Sequence, residues 1–551
     1  MDIMDNSSSI LTPVSLWKDF VIDREFMESC ISSFDFDGVT SKTLYFSGRR
    51  IKDNPVRIFC SVCYPTGENC KNFIVMVGDP SESINFELIK TFVKFGYGVL
   101  MPDLKGNTGI AEDNFTRYPE EISYADYVNS EFKTNCIEDN VKNTPWYEWA
   151  CVVRYSVEYV KSAFNAENVA LLGVKQGANV CWMSLTENVK CFVDLFGAGW
   201  NGYKGLPEKE SALLTDEQRK FVAGIDAESY APYCNCPVMY LTATNSKEFD
   251  CEACSDTILR TKSDKFFVFS SGQQLYLSKQ SITSSELFLK KYLTGDNDCM
   301  PKSSPSLEIS LKDGLVKFEF GLSDSENVSE VKLFSSSGNS ESYKKNWAVI
   351  YEGTKTVFTT EEKKFSDLIT CYLSVKYRSG AELCSPIMSM KLPSYPKKLI
   401  APLFAGNKND NTFIGRAIEN EVLAGLFYAD EGVEIIKGPF DIKGAFSKNG
   451  LITYKITDYK NLLDKLNDIK FDLFCSSFME FIIGIFCDEN GKEVHYKYKL
   501  KVKGAKVWQN FCLCFDDFKS DNGKSIKDNS KIYAFSFYSA DKFILNNILV
   551  Y

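Results

Sequence analysis

The 551-residue chain is too long for one hydrophobic core and predicts two to four domains. Its 44% apolar and 14% aromatic content marks a folded chain. A net charge of -10, from 63 basic and 73 acidic side chains, excludes a general attraction for nucleic acid or an anionic membrane surface.

Met1 to Leu11 is rich in Asp, Ser and Asn and lacks a basic stretch followed by an apolar one, so export is not expected. No apolar run approaches the roughly 18–20 residues of a membrane span. The 19 cysteines then read as reduced, mostly buried thiols of a cytoplasmic protein.

From about residue 40 to 295 short strands alternate with helices. Arg57 to Val62 alternates with period two, and Phe73 to Val77 is a continuous apolar run of the kind buried in parallel sheets. Ile84 to Phe95 reads as a helix stopped by Gly96, and Tyr97 to Met101 as the next strand. Pro145 to Ala163 is an amphipathic helix. Val169–Leu172, Phe192–Phe196, Val238–Leu241 and Phe266–Phe269 are further strands, and Ser285–Tyr292 is a closing helix. The pattern predicts a doubly wound α/β sheet covered on both faces, within a domain spanning 1–299 with an N-terminal extension.

Pro301 to Pro305 is a linker. Leu307 to Met390 carries short alternating strands, among them Leu307–Leu311, Leu315–Phe320 after Asp313-Gly314, and Thr370–Lys376. A small Ig- or fibronectin-like β-sandwich over 305–392 follows, with Trp347 as its core anchor. Pro393, Pro396 and Pro402 mark a second linker. Residues 400–551 read as a larger jelly-roll sandwich, with strands at Lys497–Val502, Phe511–Phe515 and Ile532–Phe537 and turns at Glu489–Gly491 and Asp521–Gly523.

Leu171 to Val180 is a strand running straight into a helix, with Gly173 and Gly177 framing Lys175. Gly-x-Z-x-Gly in that setting is a nucleophile elbow, whose glycines keep the tight turn clear of the neighbouring strand and helix. On these residues, and on Phe95–Gly106, Trp146–Tyr159, Pro237–Asn245 and Phe266–Gln274, residues 40–295 resemble the α/β-hydrolase superfamily. The likeness is to its acetyl-xylan-esterase, dienelactone-hydrolase and prolyl-oligopeptidase-like branches. It implies a strand ending near Asn245 that delivers a catalytic acid and a loop after Phe269 that delivers a histidine.

Each functional position departs from that pattern. Lys175 stands where Ser, Cys or Asp is expected, and Asn245 and Ser246 occupy the acid region, with Glu248 and Asp250 beyond. Gln273 and Gln274 hold the histidine position, and the chain's one histidine is the remote His495. The oxyanion loop reads Gly78-Asp79-Pro80, and Gln176 follows the nucleophile position. Pro80 offers no N–H, and Asp79 would repel a developing oxyanion. Glutamine cannot shuttle a proton, and an acylated lysine is an amide, far harder to hydrolyse than an ester. Lys175 is either a tolerated filler, ion-paired to Asp79 or Asp103, or an anion-binding group at the mouth of a retained pocket.

Cys234-x-Cys236 and Cys251-x-x-Cys254, with fourteen residues between the pairs, have the ligand type of a zinc site. The strand lying between the pairs favours buried free thiols instead, so no cofactor is expected there. The last segment, with Val502–Trp508, Phe515–Lys519, Ile526–Asp528 and Asn546–Leu549, resembles galactose-binding-like jelly-roll modules that include carbohydrate-binding ones. That likeness makes Tyr496, Tyr498, Trp508 and Tyr538 candidate sugar contacts and allows a structural calcium, although Asp516, Asp517 and Asp528 read as turn residues. The expectation is a catalytically inactive hydrolase-like protein with a binding or scaffolding role towards a carbohydrate or other small molecule, and no nucleic-acid or membrane partner. The alternatives are a carbohydrate esterase or other acyl-ester hydrolase with a non-standard constellation, and a purely structural protein.

Overall fold

The computed structural model describes residues 10–67, 70–110, 114–130, 133–204, 210–273, 278–337, 341–362, 365, 368–393, 401–404, 414–415, 433–447 and 450–551. The chain divides into two compact units. The first comprises Met1–Leu241, Glu252–Phe267 and Thr283–Ser303, and the second Thr242–Cys251, Val268–Ile282 and Ser304–Tyr551.

The first unit is built on a mixed sheet. Its strands are β1 (Ser29–Phe36), β2 (Val39–Ile51), β3 (Asn54–Pro65), β4 (Asn72–Val77), β5 (Gly98–Pro102), β6 (Asn168–Val174), β7 (Val189–Leu195), β8 (Val238–Ala243) and β9 (Lys265–Ser270), and the last residues of β8 and β9 belong to the second unit. The spatial order is β1-β2-β3-β5-β4-β6-β7-β8-β9. The centre, β5-β4-β6-β7-β8, is parallel, whereas β1, β2 and β3 form an antiparallel meander joined to β5. The sheet is therefore mixed, with an antiparallel flank beside its parallel centre. That run is buried on both faces, as a central parallel strand requires.

The helices of this region are α1 (Pro13–Trp17), α2 (Phe86–Val93), α3 (Pro145–Ala163), α4 (Gln176–Ser184), α5 (Asp216–Gly224), α6 (Ala227–Tyr230), α7 (Cys251–Leu259) and α8 (Lys279–Leu289). α3 begins where Thr144 caps the Tyr147 N–H and Pro145 fills the first helical position, and it is buried nearly throughout from Trp146 to Val160. α2 is shorter than its apolar pattern, because Asn85 caps it by accepting from the Leu88 N–H at 3.0 Å. α8 begins six residues before the expected Ser285 and ends at Leu289, passing into one wider turn over Lys290–Thr294. No helix among the described residues is long and apolar enough to cross a membrane.

The second unit is antiparallel β. In its middle part β10 (Ser306–Lys312), β11 (Leu315–Gly321), β12 (Val328–Ser337), β13 (Ala348–Gly353), β14 (Val357–Glu361), β15 (Leu368–Tyr377), β16 (Glu382–Cys384) and β17 (Met388–Lys391) pair as β10-β11-β14 and as β16-β15-β12-β13, with β17 also on β15. Asp313 and Gly314 turn the first hairpin at φ +52° and +75°, the left-handed pair that a two-residue hairpin needs. Trp347 is buried edge-on against Tyr372, 5.0 Å between ring centres, and Tyr372 stacks on Phe334.

The C-terminal part has β18 (Ala401–Phe404), β19 (Ile414–Gly415), β20 (Glu434–Lys437), β21 (Lys443–Phe446), β22 (Leu451–Thr453), β23 (Asp468–Phe474), β24 (Met479–Glu489), β25 (Lys492–Val502), β26 (Gln509–Cys514), β27 (Ile532–Tyr538) and β28 (Ile544–Val550). One sheet runs β20-β21-β28-β23-β26 with β18 on β28, and the other β19-β22-β27-β24-β25. A single apolar core takes Leu473, Leu545 and Val550 from the first and Phe481, Ile485 and Phe537 from the second. Asn490 and Gly491, at φ +57° and +78°, turn the β24–β25 hairpin as their sequence signals. Of the second linker, Pro396 lies outside the described residues, and Pro402 is not linker but part of β18, facing Leu549 of β28. β18 pairs with β28 alone, and an edge strand tolerates a residue without an N–H.

Candidate functional site

The elbow is built as its sequence requires. Lys175 joins β6 to α4 at φ +53° and ψ −122°, a conformation that costs a non-glycine residue about 1–3 kcal/mol. Tight packing holds it there. A Cβ on Gly177 would stand 2.2 Å from the Gly78 carbonyl oxygen and 2.4 Å from that of Val77, and one on Gly173 would stand 2.3 Å from the Ala178 Cα. The Lys175 N–H is tied to the Leu195 carbonyl of β7 at 2.8 Å.

The Lys175 side chain is an ion-pair partner of Glu82. Its Nζ donates to Glu82 Oε1 at 3.0 Å, with the two side chains 13% and 22% exposed. The loop after β4 sets this up. Asp79 Oδ1 accepts from the Ser81 N–H and from its hydroxyl at 3.0 and 2.6 Å, and the Glu82 N–H donates to the Asp79 carbonyl at 2.9 Å. Pro80 is buried in this turn, and Gln176 opens α4 half-buried. The expected partners, Asp79 and Asp103, do not take this role. Asp79 is engaged by Ser81, and Asp103 accepts from the N–H groups of Lys105, Gly106 and Thr116, with its carboxyl pushed up to about 6 by burial. Glu82 lies just beyond the Gly78-Asp79-Pro80 stretch that the sequence singles out, and the signal that points to it is the turn Asp-Pro-Ser-Glu.

Replacing Glu82 leaves a partly buried ammonium without its carboxylate. Glu82→Ala is expected to lower stability by about 2 kcal/mol, and Lys175→Met combined with Glu82→Gln by clearly less, since the pair then leaves together. A double-mutant cycle in urea unfolding reads the coupling directly; additive effects would mean that the contact has no energetic weight.

The acid position lies in the second unit, and its side chain is committed to structure. Asn245, 1% exposed, donates from Nδ2 to the carbonyls of Tyr343 and Lys345 at 3.1 and 2.7 Å, and its Oδ1 accepts from the Thr244 hydroxyl at 2.9 Å. Its N–H donates to the carbonyl of the half-buried Gln273 at 2.9 Å. Ser246 is buried and accepts from the Phe249 N–H at 3.1 Å, Glu248 is exposed, and Asp250 accepts from the Ser342 hydroxyl at 2.9 Å. Gln274 lies outside the described residues. The ring of His495 stacks on Phe486, 4.1 Å between centres, in the β24–β25 hairpin. An acyl transfer needs a nucleophile with a free lone pair and a base to take its proton. Lys175 Nζ is engaged in donating to Glu82, and the neutral amide of Asn245 carries no charge with which to stabilise a protonated base.

Close to the elbow, Asp194 is fully buried. It accepts from Trp182 Nε1 at 2.7 Å and the Gly197 N–H at 2.8 Å, yet burial pushes its carboxyl up to about 7. Burial likewise lifts Asp226 to about 6. A carboxyl raised in the folded state contributes stability that is full below its ordinary value near 4 and is lost as pH rises through the folded value. The unfolding free energy read from urea titrations is therefore expected to fall between about pH 4 and 7, by on the order of a few kcal/mol for Asp194. Asp194→Asn, which keeps an acceptor for Trp182, should flatten that slope; an unchanged pH profile in the variant would contradict it.

The remaining candidates are dispersed. Cys234 and Cys236 bring their sulfurs to 3.8 Å, while Cys251 donates to the Thr244 carbonyl and Cys254 is buried in α7. Among the described residues no group of three or more His, Cys, Asp or Glu side chains could hold a metal ion. Asp517 accepts from the Cys514 N–H and Asp528 from the Ser530 N–H, so these carboxylates serve turns. Tyr496 is buried and donates to Glu489, and Tyr498 packs against Phe518. Trp508 is half-buried and donates to the Pro439 carbonyl, and Tyr538 is exposed at the end of β27. The four aromatics do not form one platform: Tyr496 and Tyr498 contribute to the C-terminal core, and Trp508 packs over Gly438 and Gly444.

No family model and no curated protein matches the chain. Solved structures do. A cold-adapted esterase from an Arctic intertidal metagenomic library is 10% identical, over 48% of this chain and 99% of its own, with a TM-score of 0.34. An acetyl xylan esterase from a Paenibacillus species is 12% identical over 51% of this chain and 92% of its own, with a TM-score of 0.37. Another, from a Thermoanaerobacterium species, is 15% identical over 45% and 83%, with a TM-score of 0.32.

Proposed function

We propose that residues 40–295 keep an α/β-hydrolase-like frame without its hydrolysis, in a protein whose role is binding or scaffolding. The observation that carries this reading is the ion pair between Lys175 and Glu82 at the elbow. The amide of Asn245, held by two backbone carbonyls, supports it from the acid position. An Ig-like middle segment and a galactose-binding-like jelly roll, with carbohydrate as the candidate ligand, complete the proposal. Tyr538, exposed, and Trp508, half-buried, are the C-terminal aromatics best placed to meet such a ligand.

Hydrolysis of short acyl esters, acetylated sugars among them, tests it. Purified protein is expected to give no turnover above the uncatalysed rate, in wild type and in Lys175→Ala alike. Turnover that disappears in Lys175→Ala would replace this reading with a lysine-dependent acyl hydrolase.

A further inference from the structure

We propose that Cys234 and Cys236 are a reversible oxidation site, forming an intramolecular disulfide when a hydroperoxide reaches the turn that opens β8. Their sulfurs lie 3.8 Å apart, separated in sequence by the exposed Asn235 alone. Closing that gap to a bond needs a modest side-chain movement, since the bridged sulfur distance is about 2 Å. The turn lies at the surface, with Tyr233 and Asn235 exposed and Cys236 partly buried, and Cys234 is buried just beneath it, within reach of a peroxide-sized molecule once the turn opens slightly. In the reduced protein the Cys234 thiol also donates to the Cys236 carbonyl at 3.3 Å, an oxygen that accepts from the Ser263 hydroxyl as well.

The two sulfurs differ in character. The contact between the two sulfurs holds Cys234 below the usual thiol range and Cys236 well above it. Burial pushes the isolated thiols Cys60, Cys181 and Cys191 up instead, which makes them poor nucleophiles. Cys234 is therefore the attacking group. Its thiolate attacks one oxygen of hydrogen peroxide, an S–O bond forms as the O–O bond breaks, and the released hydroxide takes up the proton lost by Cys234 and leaves as water. Cys236 then attacks the Cys234 sulfur, the S–O bond breaks, and the hydroxyl leaves as a second water with the Cys236 proton. Two electrons pass from the two thiols to the peroxide. A bridge across one intervening residue is strained and so readily reduced, as a reversible site requires.

Peptide mass spectrometry on the full chain tests this. Trypsin releases Phe221–Lys247, which contains these two cysteines and no others. After exposure to equimolar hydrogen peroxide, denaturation and alkylation, most of this peptide is expected without alkyl groups and two hydrogens lighter, and dithiothreitol should restore both thiols. Cys60, Cys181 and Cys191 should remain alkylatable. In Cys236→Ser the intermediate has no resolving thiol, so dimedone should label Cys234, an adduct that wild type does not accumulate. A Phe221–Lys247 peptide still doubly alkylated under peroxide that oxidises the exposed Cys30 and Cys512 would overturn the proposal, whether or not the variant folds.

Discussion

Asn245→Asp, which returns a carboxylate to the acid position, is expected to destabilise the protein by about 3–5 kcal/mol and to create no esterase. Two carbonyl oxygens, of Tyr343 and Lys345, stand 3.1 and 2.7 Å from the amide nitrogen. A carboxylate there exchanges two donated hydrogen bonds for two acceptor–acceptor contacts in a site only 1% exposed. Protonation relieves one of them, so the loss should be smaller at pH 5 than at pH 8. Urea unfolding at the two pH values measures both effects. A variant as stable as wild type would mean that the amide is not held as described. Asn245→Ala removes the repulsion but leaves the same carbonyls unpaired, and should cost about 2 kcal/mol.

Gly177→Ala is the second large effect. The added methyl would meet backbone on the far side, the Gly78 oxygen at 2.2 Å and the Val77 oxygen at 2.4 Å, and no side chain can rotate to make room. Strand β4 and helix α4 must separate, or the elbow must open, at an expected cost of about 3–4 kcal/mol. Gly38→Ala is the contrasting control: unlike the helical Gly177 it has positive φ, at +76°, and nothing lies within 4 Å of its Cβ. Its loss should stay near the 1 kcal/mol of a left-handed turn position. Thermal unfolding of the two variants separates a close approach from a backbone preference; equal losses would remove the argument.

That close approach explains why the elbow was legible while its chemistry was not. Gly173 and Gly177 are demanded by backbone packing within one short stretch of chain, so they stand in the sequence in a fixed frame around Lys175. Strands β4 and β6 are apolar on both faces and declare themselves as buried parallel strands. β1 does not, because its eight residues are all exposed and no buried face imposes an alternation. The start of α8 is hidden for a related reason, since its first turn is Lys, Gln and Ser, residues that read as loop.

The partners of the site could not be read from spacing. Glu82 reaches Lys175 across 93 positions, and Asn245 is held by carbonyls about 100 positions further on. Such contacts depend on which loop faces which, and a single sequence does not carry that information. The identity of the side chains is what makes the sequence read as one in which a hydrolytic triad is hard to assemble. Gln273 lacks the required proton chemistry whatever its neighbours, Lys175 is paired with Glu82, and His495 is stacked on Phe486.

The central claim is that the elbow residue is a structural cation and not a nucleophile. Acetylation by p-nitrophenyl acetate, followed lysine by lysine with mass spectrometry on the folded protein, tests it most directly. The account predicts that Lys175, engaged by Glu82 and 13% exposed, is among the least acetylated lysines, and that Glu82→Ala raises its labelling. Selective acetylation of Lys175 in the wild-type protein, ahead of the exposed lysines, would contradict it.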